Sequence, residues 1–209
     1  MNLSFPLLLY LLTWARLTGP ATTQVMFSPS AKAAYTQAKK SCVVNTPQAT
    51  FPLKKQRGRI IIPVVKGQRV FKDRGVGTDN DDQAQYEYLG YLPQFGNHVV
   101  LAHLWERTQW LLIAKNGKQL ELYDAPLYSP SGKSFVVISA GLEYSVYPNS
   151  LRLFRFEGQS WREIWALEPT KWEPIEVCWT SESTLLLCKR TWSSLNSNNS
   201  LTYSKLTIK

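Results

Sequence analysis

The chain has 209 residues, of which 44% are hydrophobic and 19% are charged, which is the balance of a globular protein rather than a disordered one. Twelve prolines and eleven glycines indicate many turns and argue against a fold of long helices. The net charge of +9 is unevenly spread, because residues 24–74 contain eleven basic residues and one acidic residue. The positive charge is therefore a property of the front part of the chain.

The first 23 residues resemble a secretory signal peptide. Their apolar run, from Phe5 to Trp14, is shorter than the roughly 20 residues of a transmembrane helix, and small residues follow it where a peptidase could cut. No Lys or Arg precedes the run, so the alternative is a buried N-terminal segment of the folded protein. We expect a secreted or periplasmic protein from which residues 1–23 are removed.

Residues 24–58 are predicted to form a basic arm that contains a short helix and a loop. Ala31–Lys40 is rich in Ala, Lys and Gln, which favour helix, although a mobile arm is the alternative. Asn45–Pro52 is a loop, because prolines interrupt it.

Four basic residues at the end of this arm and the start of the next segment form a candidate contact for an anionic partner: Lys54, Lys55, Arg57 and Arg59. Such a cluster binds polyanions by releasing counterions. For an exported protein the accessible polyanions are lipid head groups and acidic glycans. We expect no nucleic-acid partner, because aromatic side chains that stack on bases are scarce in this segment. The alternative is a charged, solvated arm without a partner.

Residues 59–209 are predicted to form a β domain. Arg59–Val65 is rich in β-branched residues, and Lys66-Gly67 indicates a turn into a second short strand, Arg69–Lys72. From Tyr86 onward apolar runs alternate with turn residues, and Asn116-Gly117 is a strong hairpin signal. The predicted strands there are Tyr86–Leu92, Val99–Trp105, Trp110–Ala114, Gln119–Tyr123, Ser134–Ser139, Leu151–Phe156, Arg162–Leu167, Ile175–Trp179, Thr184–Lys189 and Leu201–Ile208. The fold class is therefore mainly β, with an antiparallel meander as its simplest form.

One turn in this region resembles a known repeat. The stretch Tyr128-Ser129-Pro130-Ser131-Gly132-Lys133 is similar to the aromatic-Ser-Pro-Asp-Gly-Lys turn of TolB-type and WD40-like propeller repeats in bacterial envelope proteins, with Ser131 in place of the usual Asp. Weaker matches to the same pattern start at Tyr91 and Trp179. Three partial repeats are fewer than the four blades of the smallest propellers, so the resemblance implies incomplete propeller-like sheets in a secreted bacterial protein. It implies no catalytic residues.

Three cysteines remain after removal of the signal peptide, and an oxidising compartment would allow one disulfide among them. Cys178 and Cys188 flank a turn between two apolar runs, so they are candidates for a disulfide across a hairpin. The alternative is two small buried thiols.

Catalytic and metal-binding patterns give no positive signal. The two histidines, His98 and His103, are five residues apart and point to opposite faces of a strand, so they cannot hold one metal together. A G-x-S-x-G nucleophile motif, a cysteine pair with zinc-ligand spacing and a phosphate-binding glycine loop are all missing from the sequence. We expect no enzyme activity, no cofactor and no metal.

The remaining expectation is an interaction scaffold in the cell envelope or outside the cell. Its partner would be an envelope protein, and self-association through open sheet edges is a further expectation. The alternative is a module that binds carbohydrate or an anionic surface through exposed Trp and Tyr side chains and the basic segment, since eight tryptophans are many for this length.

Overall fold

The computed structural model describes residues 23–78, 80–143, 146–191 and 200–209. Over these residues the protein has fourteen strands and one short helix, so the predicted mainly-β fold class is confirmed. The strands form three four-stranded antiparallel sheets and one two-stranded hairpin. The predicted signal peptide lies outside the described residues, apart from Thr23.

The strands of each sheet follow one another along the chain, and only the first strand departs from this order. Sheet I contains β4 (Ala84–Leu92), β5 (Asn97–Leu104), β6 (Thr108–Ala114) and β7 (Gln119–Leu122). Sheet II contains β8 (Leu127–Tyr128), β9 (Ser134–Ser139), β10 (Ser150–Glu157) and β11 (Ser160–Leu167). Sheet III contains β12 (Trp172–Ser181), β13 (Thr184–Thr191), β14 (Ser200–Ile208) and β1 (Val25–Ser30). The hairpin is formed by β2 (Arg59–Val64) and β3 (Gly67–Lys72), and helix α1 spans Lys32–Lys39.

Within the described part of the chain, no helix combines the length and the hydropathy that a membrane span requires.

The three sheets pack face to face in the order of the chain. Leu112 of sheet I packs in one cluster with Phe135 of sheet II, whereas the next residue, Val136, packs in another cluster with Trp179 of sheet III. Successive side chains of a strand point to opposite faces, so sheet II is covered on both sides. This stack of antiparallel sheets is compatible with the predicted incomplete propeller-like arrangement.

The two outer faces of this stack are covered by the hairpin and the helix. Ile60 and Ile62 of the hairpin are fully buried against the outer face of sheet I. Tyr35 of helix α1 is buried against Leu186 on the outer face of sheet III. All members of the core clusters lie between residues 25 and 208, so the described part of the chain contains its own core.

The segment that joins the helix to the hairpin, here called the crossing segment (residues 41–58), passes an edge strand of each of the three four-stranded sheets. Its isolated bridges pair Val43 with Trp179, Asn45 with Tyr128 and Thr50 with Tyr91. Side-chain hydrogen bonds add to these contacts, because Asn45 Nδ2 donates to the carbonyl oxygens of Ser129 and Pro130 at 3.0 Å each.

The predicted arm over residues 24–58 therefore needs correction. Strand β1 pairs along its whole length with β14, from Val25 opposite Ile208 to Ser30 opposite Tyr203, and so completes sheet III. Pro29 is tolerated because β1 is an edge strand. The predicted helix within this range is confirmed.

All ten strands predicted from Tyr86 onward are present, with ends shifted by three residues or fewer. The Asn116-Gly117 turn joins β6 to β7, and Gly117 has a φ of +83°, in the left-handed region that glycine adopts without strain. Two short strands, β1 and β8, are not predicted by the sequence pattern.

Candidate functional site

The hairpin has a buried face and an open face. Ile60 and Ile62 alternate with Arg59 and Ile61, so the first pair enters the core and the second pair points away from sheet I. The sequence places the turn at Lys66-Gly67, but the pairing of Val64 with Gly67 shows a two-residue turn at Val65 and Lys66. This register sets which side chains meet on the open face.

Basic side chains from three neighbouring segments line an open hollow on this face, with a volume of about 680 Å³. We call it the basic hollow, and its charged residues are Lys54, Arg57, Arg59 and Lys72. All four are exposed. Among the described residues, none of the four has an ion-pair partner. The hollow therefore carries an uncompensated positive charge.

Two of these cations lie directly opposite each other. Arg59 on β2 pairs in register with Lys72 on β3. Like charges opposite each other in an antiparallel pair are destabilising. Lys72 lies outside the basic cluster in the sequence, and the signal that reveals it is the hairpin register, which depends on the position of the turn.

Arg57 lies in an unfavourable backbone conformation. With Gly58 it forms the turn of a second tight hairpin, in which the backbone N–H groups of Gln56 and Arg59 donate to each other's carbonyl oxygens at 2.8 and 2.9 Å. Its φ of +48° lies in the left-handed region, where Asn and Gly are preferred and Arg is not. Residues held in such conformations concentrate at functional sites. The Arg59–Lys72 pair and the left-handed Arg57 thus both lower the stability of the fold, and both place positive charge in the hollow.

Lys55, which the sequence groups with these residues, does not belong to the hollow. Its ammonium group lies 2.5 Å from Asp73 Oδ2 and donates to the carbonyl oxygen of Tyr86 at 2.8 Å. Burial alone raises the pKa of Asp73, but the hydrogen bonds from Lys55 and from the Tyr86 N–H outweigh it and hold that pKa below its usual value. Lys55 therefore holds the crossing segment against sheet I, and its charge is compensated by Asp73, unlike those of the other three residues of the predicted anionic contact.

The predicted disulfide is also corrected. Cys178 pairs with Cys42 of the crossing segment, and Cys188 is a buried free thiol. The hairpin register explains this, because Cys178 lies opposite Leu186 and Cys188 lies opposite Glu176, two residues away along the strand. Burial raises the pKa of the Cys188 thiol. A disulfide fits an oxidising compartment outside the cytoplasm.

A second concavity lies between the crossing segment and the sheets. It has a volume of about 640 Å³ and is mostly apolar, with Val43, Trp110, Leu127 and Val177 among its lining residues. Its charged residues are Lys39 and Glu176, whose side chains form an ion pair at 2.6 Å. This groove therefore presents an apolar surface whose two charges compensate each other.

The histidines are separated, as their spacing predicts. His98 is buried, its Nδ1 lies 2.8 Å from the hydroxyl of Tyr88, and burial lowers the pKa of its imidazole. Burial also raises the pKa of Tyr88 to about 12. His103 lies on the surface, 3.7 Å from Glu87. Among the described residues, no group of three His, Cys, Asp or Glu side chains has the arrangement of a metal site.

Most of the tryptophans that the sequence offers for ligand stacking belong to the core. Of the six within the described residues, only Trp105 is exposed, with 49% of its surface accessible. Trp179 is fully buried and donates from Nε1 to the carbonyl oxygen of Leu127 at 2.8 Å. Trp161 packs against Phe95, Phe135 and Phe156. The described surface therefore has no platform of neighbouring exposed tryptophans.

The turn that resembles the propeller repeats connects two sheets. Glu182, in the turn between β12 and β13, accepts hydrogen bonds from the hydroxyls of Ser129 at 3.0 Å and Ser131 at 2.8 Å, and from the N–H of Ser131. Gly132 has a φ of +73°, which allows the tight turn. Here the carboxylate comes from the neighbouring sheet, whereas the repeat pattern has an Asp at the position of Ser131.

Comparison with known protein families finds no family model that matches the chain, and comparison with curated proteins finds no match either.

Proposed function

We propose that the protein is an exported, non-enzymatic interaction protein whose basic hollow binds an anionic surface. The observation that carries this proposal is the gathering of Lys54, Arg57, Arg59 and Lys72 on one exposed face without compensating acidic partners among the described residues. The Cys42–Cys178 disulfide and the apolar run near the N-terminus support export to the cell exterior or the periplasm.

The local conformations give this proposal its physical basis. A cross-strand pair of like charges and a left-handed arginine both lower the stability of the free protein. An anion placed between Arg59 and Lys72 removes the repulsion, because each cation then has an opposite charge nearby. Binding of an anion therefore also stabilises the hairpin, because it removes the repulsion between Arg59 and Lys72.

The test uses Lys72→Glu, because this change has opposite effects on stability and on binding. The introduced carboxylate would lie directly opposite Arg59, and an opposite-charge pair at this position stabilises the hairpin by about 0.5 kcal/mol. Near an anionic surface each basic residue contributes about 1 kcal/mol, so reversal of one charge weakens binding about 25-fold. Affinity for anionic vesicles and for dextran sulfate is measured at a fixed low salt concentration, and the free energy of unfolding is measured in urea.

The matched control is Lys205→Glu, which makes the same charge change at an exposed position in sheet III. Equal losses of affinity in the two variants would show that net charge alone drives binding and would refute the hollow as the site. Because Lys72→Glu is expected to be as stable as the wild-type protein or more stable, a loss of binding in this variant does not reflect unfolding.

A further inference from the structure

The open face of the hairpin carries exposed apolar side chains beside its cations. Ile61 and Val70 pair in register next to the Arg59–Lys72 pair, and 47% and 49% of their surfaces are accessible. The four side chains therefore occupy one face of one hairpin. The Arg59–Lys72 pair lies at one end of this face, and the Ile61–Val70 pair is the next pair along it.

These aliphatic residues have no packing role within the described structure that would explain them. The core contacts of the hairpin come from Ile60 and Ile62 on its other face. An antiparallel hairpin with one face toward solvent normally carries polar residues on that face. Exposed β-branched aliphatic residues here cost solubility, and they mark a contact surface when they lie together.

The apolar surface continues from the hairpin into the crossing segment. Pro52 and Leu53 line the basic hollow together with Ile61. Phe51 is 68% exposed and lines an adjoining hollow with Leu53 and Lys54. Cationic and apolar side chains are thus mixed from the open face of the hairpin to Leu53 and Phe51, and Glu87 contributes one negative charge to the adjoining hollow.

We propose that this surface docks on an anionic lipid bilayer, with the cations at the lipid phosphates and Ile61, Val70 and Phe51 in the head-group region. This inference rests on the proposed binding of an anionic surface. A lipid interface offers negative charge and an apolar phase within a few ångströms of each other, so it satisfies both kinds of side chain. An acidic glycan offers the charge but no apolar phase, and it leaves the aliphatic residues in water.

The contributions of the cations and of the aliphatic residues to membrane binding can be separated by their dependence on salt. The cations act at long range and are screened by salt, whereas the contribution of the aliphatic residues persists at high ionic strength. Binding to anionic vesicles is therefore expected to fall with added salt but to keep a residual part that depends on Ile61 and Val70.

The experiment compares the double variant Ile61→Thr/Val70→Thr with the wild-type protein, both as chains beginning at Gln24, so that the apolar run at Phe5–Trp14 does not contribute. Threonine keeps the β-branched shape and the strand propensity. Flotation with vesicles of phosphatidylglycerol and phosphatidylcholine, and with vesicles of phosphatidylcholine alone, gives the affinities. Dextran sulfate serves as an anionic polymer without an apolar phase. Leu201→Thr, at an exposed apolar position in sheet III, is the control.

We expect the double variant to lose at least about 10-fold in affinity for the anionic vesicles, because a hydroxyl replaces the ethyl group of Ile61 and one methyl group of Val70. It should bind dextran sulfate as the wild-type protein does. Leu201→Thr should change neither affinity. Thermal unfolding of each variant confirms that the fold is retained.

Three other results would overturn the inference, and each identifies which proposal fails. Unchanged vesicle binding in the double variant, with Lys72→Glu still defective, refutes the lipid partner and leaves the anionic-surface function standing. Wild-type binding that is equal on neutral and anionic vesicles refutes the role of the cations. Absence of wild-type binding to both anionic vesicles and dextran sulfate refutes both proposals.

Discussion

Sheet I and sheet III each have one face that no other sheet covers, and the chain covers these two faces by different means. Helix α1 is held on sheet III by polar and covalent links: Tyr35 donates to Glu176 Oε2 at 3.2 Å, Lys39 forms an ion pair with the same carboxylate, and the Cys42–Cys178 disulfide follows directly. The hairpin on sheet I depends on the burial of Ile60 and Ile62.

The helix end is stabilised by paired charges and a disulfide, whereas the hairpin end contains groups that lower stability. The helix end fixes the start of the crossing segment, and its charged groups near the sheet are compensated. The hairpin end has a buried face that is sufficient to hold it, and its open face carries like charges and a left-handed Arg57. An end with strained and uncompensated groups is the better candidate for a binding surface.

The largest expected effect concerns the covalent link at the helix end. Replacing both Cys42 and Cys178 with alanine removes a cross-link between residues 136 positions apart, and the longer the loop that a disulfide closes, the more it stabilises. We expect the free energy of unfolding to fall by about 4 kcal/mol in urea titrations. Cys188→Ala, which leaves the disulfide intact, is the control. A loss below about 1 kcal/mol in the double variant would contradict the assigned role.

The next effect concerns the hairpin end. Ile62→Ala removes a fully buried side chain that joins the hairpin to sheet I, and we expect a loss of about 3 kcal/mol. Ile61→Ala, one residue away on the open face, should change stability by about 0.5 kcal/mol or less. Urea unfolding of the two variants gives both values. Similar losses at the two positions would show that the open face is also packed, and the comparison of the two faces would fail.

The smallest effect is the pH dependence of stability: the hairpin end contributes on the acid side through His98, and both ends contribute on the alkaline side, since burial also raises the pKa of Tyr88 at the hairpin end to about 12. At the hairpin end, burial lowers the pKa of His98 below 6.5, so the unfolded chain binds the proton more readily and stability falls as the pH drops below that value. At the helix end, burial raises the pKa of Tyr35 above 10.0 and that of Cys188 above 9.0, so stability falls as the pH rises past these values.

Urea unfolding across a pH series checks this assignment. His98→Gln should remove part of the acid-side decrease, and Tyr35→Phe should remove part of the alkaline decrease. His103→Gln, at the half-buried surface histidine, is the control for the acid side. The assignment is wrong if His98→Gln keeps the full acid-side slope of the wild-type protein.

The strands of sheets I and II were predictable because their signals are local. An apolar run followed by turn residues predicts a strand and its pairing with the next strand, as at Asn116-Gly117 between β6 and β7. Ser134–Ser139 was predicted with its observed ends for the same reason. Strand β8 has only two residues, which is too short for any pattern.

The contacts that connect distant parts of the chain were not predictable in this way. Strand β1 has four exposed residues among its six and a proline, and its partner lies at the other end of the chain. Cys42 has no local feature that indicates Cys178 as its partner. Part of the basic hollow is predictable, because Lys54, Arg57 and Arg59 are close together in the sequence. Lys72 lies near them only because the hairpin register places it opposite Arg59. Lys55 is close in sequence but forms an ion pair with Asp73 and does not line the hollow.

The pairing of β1 with β14 has a consequence for the order of folding. The backbone groups of Gln24 and Lys209 hydrogen-bond to each other in both directions, at 3.2 and 2.9 Å, so the pairing of β1 with β14 continues one residue beyond each strand. During synthesis the hairpins of sheets I and II can form as soon as they emerge, because their partners are adjacent in sequence. Strand β1 is made first among the strands but has no partner until β14 is complete. Sheet III is therefore closed only after β14 has been made.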